Sequence, residues 1–210
     1  MFIVCHLKKG IFLAFVFCFS NQLFSQDGFK AGASFGVIAS QVAGDGYGGF
    51  DKAGLFGGLF INTYTSENWS WQMEINYAQK GARKNPNTSE GDHEFFLMRL
   101  NYIDIPLMLK VDYKSFTFEG GLYYGRLLDY FLEDEAGEFS LPEGSNDFKN
   151  YDVGALLGIT YNFTEQFLMN WRFNNSIHEI RKYDSGSRYM LNTGYFNTYL
   201  NFSLRYEFIK

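Results

Sequence analysis

The stretch Trp69-Ser-Trp-Gln-Met-Glu-Ile-Asn-Tyr-Ala-Gln-Lys80 alternates large apolar residues with polar ones. Successive side chains of a β-strand point to opposite faces, so this strand would have one apolar face and one polar, charged face. The apolar face would carry Trp69, Trp71, Met73, Ile75 and Tyr77. Strands of soluble proteins are usually about 5–6 residues long, whereas a tilted strand that crosses a membrane needs about 9–11. The stretch therefore predicts a membrane-spanning β-strand.

The same alternation recurs along the chain and predicts eight strands. They cover approximately Gly28–Val37, Ala53–Asn62, Trp69–Lys80, Leu100–Val111, Phe116–Gly125, Tyr151–Tyr161, Phe167–Ser176 and Asn197–Phe208. Short connections (Thr63–Asn68, Asp112–Ser115 and Asn162–Gln166) alternate with long ones, at about residues 38–52, 81–99, 126–150 and 177–196. This asymmetry is typical of an all-β fold, an eight-stranded antiparallel up-and-down transmembrane β-barrel with short periplasmic turns and long extracellular loops.

Side-chain volume decides which face of the barrel points outward. A soluble barrel such as a lipocalin shares the alternation. The apolar face, however, carries Trp69, Trp71, Phe116, Phe118, Phe167, Trp171, Phe202 and Phe208, while glycine and serine recur on the polar face. Eight strands enclose little more than their own side chains, so we expect the bulky face to lie outside, in lipid. Aromatic residues at the ends with short turns, such as Phe29, Tyr113 and Tyr206, predict an interfacial girdle.

The polar face is expected to carry equal numbers of both charges. Its basic residues are Lys30, Lys80, Lys110, Arg172 and Arg205, and its acidic residues are Glu74, Asp104, Glu119, Asp152 and Glu207. Buried charges persist only when they are paired, and a conducting pore would more often show an excess of one sign. The balance predicts a packed, non-conducting interior.

The first 26 residues are typical of a secretory signal peptide. Lys8 and Lys9 precede the apolar run Ile11–Phe19, which is too short to span a membrane. The predicted organisation is therefore a signal peptide at 1–26 and an outer-membrane barrel domain at 27–210. Both cysteines, Cys5 and Cys18, fall in the signal segment, so the mature chain would have no thiol nucleophile and no cysteine-based metal site. The net charge of −5 argues against nucleic-acid binding.

Three segments resemble the PorT-like outer-membrane β-barrel family. Tyr102-Ile-Asp-Ile-Pro-Leu-Met-Leu-Lys110 is similar to one strand of that family, Tyr199–Phe208 to its last strand, and Gly54–Leu59 to its second. The resemblance covers essentially the whole mature chain and implies a barrel in the Gram-negative cell envelope. Its founding member is implicated in protein secretion, but these motifs describe architecture and carry no chemistry.

Two features depart from the usual pattern of such a barrel. Pro106 lies in the middle of a strand, where we expect either a bulge or a lost ladder bond. Ile209 and Lys210 follow Phe208, although outer-membrane strands often end on an aromatic residue.

Few residues suggest catalysis or metal binding. His93 has Ser89, Asp92 and Glu94 nearby, as a small surface lipid- or peptide-modifying enzyme would require, but neighbours in a loop seldom form a catalytic site. His178, beside Glu179, is interpreted as a rim residue. The third long loop is acidic, with Asp129, Glu133, Asp134, Glu135, Glu138, Glu143 and Asp147 against Arg126 and Lys149. These residues lack the spacing of a calcium loop, which favours a solvated surface.

Basic residues in the second and fourth loops could meet lipopolysaccharide phosphates, although ordinary surface charge explains them nearly as well. They are Arg83, Lys84, Arg181, Lys182 and Arg188.

The sequence predicts a non-enzymatic integral outer-membrane protein, a rigid membrane anchor whose four extracellular loops contact surface partners. One alternative is an accessory component of a protein-secretion or envelope-assembly machine, as the resemblance implies. The other is the small surface enzyme. We predict no catalytic, cofactor-binding or metal residues, no nucleic-acid partner, contacts with outer-membrane lipid and lipopolysaccharide, and a monomeric barrel.

Overall fold

Eight long β-strands make up most of the chain. The computed structural model describes residues 29–143, 145–183 and 194–208. Within these ranges the long strands are β1 (Phe29–Ala43), β2 (Lys52–Tyr64), β3 (Trp69–Lys84), β4 (Phe96–Tyr113), β5 (Phe116–Asp134), β7 (Tyr151–Asn162), β8 (Phe167–Ser176) and β10 (Gly194–Glu207). The two-residue strands β6 (Gly137–Glu138) and β9 (Arg181–Lys182) pair with β5 and β10, and Thr88–Glu90 forms a 3-10 turn. No described helix is long and apolar enough to cross a membrane.

The long strands close into a barrel. Each one pairs antiparallel with the next long strand in the chain. β1 also pairs with β10, from Gly32 opposite Glu207 to Ala43 opposite Phe196, so the sheet has no free edge along this seam. The eight-stranded, up-and-down antiparallel barrel predicted from the sequence is confirmed. The signal segment, both cysteines, Ile209 and Lys210 lie outside the described residues.

The strands extend further than predicted at the end of the barrel that carries the longer connections. β1 continues to Ala43, β3 to Lys84 and β5 to Asp134, while β4 begins at Phe96. The expected loops at 38–52 and 81–99 therefore shrink to 44–51 and 85–95, and residues 126–134 of the expected third loop belong to β5. The reason is that hairpin pairing continues: Lys84 pairs with Phe96, and Phe96 with Asp134.

Pro106 locally interrupts the ladder between β3 and β4. Pairing is recorded at Met73 with Leu107 and at Asn76 with Asp104 but lapses between them, whereas Pro106 remains paired with Tyr123 on β5. Proline has no N–H, which explains the gap. The expected lost ladder bond is thus found, while the register irregularity of β4 and β5 lies elsewhere, between Asn101 and Tyr102.

The predicted direction of the faces is confirmed, but the interior is bulkier than the sequence indicated. The aromatic side chains of the apolar face are exposed on the outside, as Trp71 and Phe167 illustrate. The inside nevertheless holds five large rings, all at most 3% exposed: Phe56, Phe60, Tyr102, Tyr123 and Tyr199. Glycines make room for them, because a Cβ at Gly32 would lie 2.3 Å from the Phe60 ring and one at Gly154 would lie 2.4 Å from Tyr123.

Candidate functional site

Four charged side chains meet across the interior, in the half of the barrel with the short connections. Glu74 comes from β3, Glu119 from β5, Arg172 from β8 and Arg205 from β10. Arg172 Nη1 lies 3.0 Å from Glu74, and its Nε lies 2.8 Å from Glu119. Arg205 contacts the same two carboxylates at 3.0 and 3.4 Å. Each buried charge has two opposite partners, so this inner charge layer joins four strands across the lumen.

A second buried cluster surrounds Lys80 in the other half of the barrel. The Lys80 ammonium lies 2.9 Å from Asp104 and 3.0 Å from Asp152. It also lies within 4.4–4.9 Å of three ring centroids, those of Tyr102, Tyr123 and Tyr199. Lys80 is fully buried, so carboxylates and aromatic faces replace water as its surroundings. This Lys80 cage connects β3, β4, β5, β7 and β10.

An apolar cap closes the interior above the Lys80 cage. It contains Val42, Ala82, Met98, Leu100, Tyr102, Leu132, Phe148 and Ile180. Phe148 and Ile180 come from the two long connections that follow β5 and β8, so these connections fold over the barrel mouth. Arg181 is held there too, because its Nε donates to the Asn146 carbonyl at 2.6 Å and its guanidinium lies over the rings of Phe148 and Tyr195.

Little space remains between the layers. The cavity bounded by Asp104, Pro106, Tyr123 and Arg172 has a volume of about 10 Å³. That volume is at the lower limit for a single water molecule. The ten inner-face charges predicted from the sequence all point inward, and nine of them pair with an opposite charge. The tenth, Lys110, donates to Gln72 Oε1 at 2.7 Å.

An apolar belt surrounds the barrel, and aromatic residues bound it. Exposed aromatic residues cluster at the end with the short connections: Trp69, Trp71, Tyr113, Phe116, Phe163, Phe167, Tyr206 and Phe208. At the other end, the outer face carries hydrogen-bonded polar side chains. Tyr77 Oη donates to Asn101 Oδ1, and Asn101 Nδ2 donates to Asp129 Oδ2, both at 2.9 Å. Aliphatic residues such as Ile75, Leu107 and Leu122 lie between these boundaries. This is the surface of a strand wall in lipid.

The residues around His93 do not assemble into a catalytic relay. Ser89 Oγ donates to Asn87 Oδ1 at 2.7 Å rather than to the histidine. Asp92 and Glu94 both pair with Lys84, and Glu94 also accepts from Tyr47 Oη. The hydrogen bond from Lys84, and after it the one from Tyr47, holds the pKa of Glu94 below its usual range.

His178 and two of the predicted basic residues have structural contacts. His178 is exposed at the rim, 3.2 Å from Lys149 Nζ, which agrees with the interpretation as a rim residue. Lys84 is engaged by the two carboxylates described above, and Arg181 is buried in the apolar cap. Arg83 and Lys182 are exposed, and Arg188 lies outside the described residues.

The acidic stretch contributes partly to the barrel wall. Asp129, Glu133 and Asp134 lie in β5, so they do not belong to a loop. Among the described residues, no group of three or more His, Cys, Asp or Glu side chains is arranged to hold a metal ion.

Asp45, in the connection after β1, has an unusual environment that sequence reasoning did not find. Its Oδ1 accepts a hydrogen bond from the Tyr47 backbone N–H at 2.9 Å. Its Oδ2 is buried and has no hydrogen-bond partner among the described residues. Burial raises the pKa of Asp45 to about 6.

Sequence reasoning also missed the Lys80 cage. The alternation does indicate two of its aromatic residues. Tyr102 is two positions from Asp104, and Tyr123 is four positions from Glu119, so both tyrosines share a strand face with an acidic residue that was predicted to point inward. Two outward arginines, Arg99 and Arg126, were likewise not recognised as part of the wall.

Comparison with known proteins agrees with this architecture. The model of the family described as "Outer membrane protein beta-barrel domain" matches residues 19–182. The chain belongs to this family. It is a β-barrel protein of the outer membrane, and no curated protein matches it.

Several solved outer-membrane barrels share the fold. The attachment invasion locus protein Ail of Yersinia pestis is 12% identical with a TM-score of 0.51, and the match covers 87% of this chain and 100% of Ail. Ail has also been solved with the heparin analogue sucrose octasulfate, at a TM-score of 0.50 and the same identity and coverage. Neisserial surface protein A is 14% identical with a TM-score of 0.52, covering 87% of this chain and 98% of that protein. At these identities the likeness shows the fold alone.

Proposed function

We propose that this outer-membrane barrel is a non-enzymatic, monomeric anchor that presents the connections of one end to partners at the cell surface. The inner charge layer carries the proposal, because it fills the lumen with ion pairs between strands far apart in sequence. Because these ion pairs connect strands across the lumen, they favour a rigid support over a transport path. The engaged side chains around His93 support the absence of catalysis.

The proposal includes an orientation in the membrane. The connections 65–68, 114–115 and 163–166 are the short periplasmic turns, and those at 44–51, 85–95, 135–150 and after Ser176 are the extracellular loops. The girdle at the short end and the usual asymmetry of outer-membrane barrels support this orientation.

Single cysteines at opposite ends test the orientation. Ser89→Cys lies in the long connection after β3, and Ser66→Cys in the short turn after β2; both side chains are exposed. A membrane-impermeant maleimide added to intact cells should label Ser89→Cys and not Ser66→Cys, and both should react once the envelope is permeabilised. The reverse labelling pattern would contradict the orientation.

Lipopolysaccharide is the lipid partner that we propose for the outer rim. Arg83, Arg99 and Arg126 are on the outward face of three adjacent strands, just beyond the apolar belt. Guanidinium groups bind phosphates well, so this position supports contacts with lipid phosphates.

The PorT-like alternative rests on the resemblance of Tyr102–Lys110, Gly54–Leu59 and Tyr199–Phe208 to that family. Photo-crosslinkers at positions 89 and 66 would separate the two functions. An anchor for surface partners should capture proteins from position 89. A component of a secretion or assembly machine should capture envelope proteins from position 66 and co-purify with them in mild detergent.

A further inference from the structure

The barrel has an open vestibule at the end with the short turns. Its volume is about 280 Å³, and its walls include Lys30, Thr117, Leu168 and Glu207, with Lys114 and Glu165 contributed by the turns. Lys110 lines it from β4 and is only 5% exposed, so a buried basic residue borders an open cavity.

Lys110 lies near the inner charge layer, but its hydrogen-bond partner is neutral. In the inner charge layer, two arginines balance two glutamates. Lys110 is a further buried cation, and its ammonium group donates a hydrogen bond to the neutral amide oxygen of Gln72. Among the residues that the structure describes, no carboxylate is paired with Lys110.

The acidic side chains of the vestibule already have partners. Glu207 pairs with Lys30 at 2.9 Å. Asp112 accepts hydrogen bonds from Tyr64 Oη at 3.0 Å and from Thr117 Oγ1 at 2.5 Å. Glu165, in the turn after β7, also has an interaction partner. The Lys110 ammonium group, by contrast, has three N–H donors, and among the described residues it donates one hydrogen bond, to Gln72.

We propose that this vestibule binds a small oxyanion, a carboxylate or a phosphate group, with the Lys110 ammonium as its main ligand. A buried cation with free hydrogen-bonding capacity gains most from an anionic acceptor, because charge-assisted hydrogen bonds are about twice as strong as neutral ones. The anion enters from the end with the short turns. Lys114, at the rim, favours its approach. The inference does not depend on what the loops of the other end bind.

Phosphate titration of the purified barrel in a non-ionic detergent tests the site. Inorganic phosphate and acetate are the probes, and the ¹⁵Nζ signal of Lys110 is the readout. We expect both anions to shift this signal saturably. Lys110→Met should weaken phosphate binding by about tenfold or more, as expected for the loss of one charge-assisted contact. Lys182→Met, an exposed cation at the opposite end, is the control and should bind phosphate like the wild type.

Two outcomes would overturn the proposal: a Lys110 signal that does not respond to either anion, or equal phosphate binding by Lys110→Met. The wild-type signal keeps the test valid if Lys110→Met does not fold, as judged by its migration with and without boiling. Nanodiscs then separate the sources of the anion. If a phospholipid headgroup occupies the site, inorganic phosphate should bind more weakly in nanodiscs than in detergent. Equal binding would identify a soluble anion as the ligand.

Discussion

Inside the barrel, single glycines determine whether charged and aromatic side chains fit. Gly125 faces inward on β5, and a Cβ there would lie 2.4 Å from Asp104 Oδ1 and 3.3 Å from the Tyr102 ring. Asp104 is one of the two carboxylates that hold Lys80. The absent side chain at Gly125 is therefore a requirement of the Lys80 cage.

Gly125→Ala should destabilise the barrel by about 1–3 kcal/mol, because overpacking forces neighbouring side chains from their positions. Gly120→Ala, on the outward face of the same strand, is the matched control. Its Cβ would meet the end of the flexible Leu157 side chain at 3.2 Å and the Leu156 carbonyl oxygen at an ordinary 3.9 Å, so the cost should stay within about 0.5 kcal/mol. Urea unfolding in lipid vesicles measures both values. Equal losses would show that the cage does not constrain position 125.

Asp45 should lose its proton at a higher pH than an ordinary aspartate does. Its pKa is about 6 in the folded protein and 3.8 as the unperturbed reference, so the folded state binds more protons between these values. This group therefore favours folding of the connection 44–51 at acidic pH, and that contribution is lost as the pH rises through about 6. The Asp45 ¹³Cγ shift should inflect near pH 6 in the barrel and near 3.8 in urea. A single inflection near 3.8 in both states would contradict the burial of Asp45.

At the scale of elements, alternation like that of Trp69–Lys80 predicted, for nearly every strand residue, whether its side chain points into the barrel or out of it. Face is a local property, because it depends only on the period of two. The partners of Lys80 were not predictable in the same way. Asp152 is far along the chain and Tyr199 further still, and their meeting depends on strand register and tilt, which the alternation does not specify. The extra length of β5 also escaped prediction, since acidic residues at 129, 133 and 134 resemble a loop.

The cost of an arginine on the outer face should depend on its depth in the membrane. Ile75→Arg places a charge in the middle of the apolar belt and should cost about 2–4 kcal/mol. Gln79→Arg, on the same face of β3 but at the polar boundary opposite Asn101, should cost only about 0–1 kcal/mol. Unfolding titrations in vesicles compare the two variants. If Gln79→Arg proved as harmful as Ile75→Arg, the belt would extend further than the polar pairs indicate.

At the scale of the whole molecule, three layers block the lumen: the inner charge layer, the Lys80 cage and the apolar cap. Only the cap depends on the long connections, through Phe148 and Ile180. The other two layers consist of side chains from the barrel wall itself. Removal of the connection should therefore expose the Lys80 cage to solvent without opening a path across the membrane.

Conductance across a planar bilayer tests the filled interior most directly. The intact protein should show no steady, porin-like current. Neither should a variant that lacks residues 130–148, which form the outer tip of β5 and most of the connection after it, because both charged layers remain. Current through the shortened variant alone would show that the apolar cap is the seal. Reproducible single-channel steps from the intact protein would contradict the filled lumen and, with it, the role as a rigid anchor.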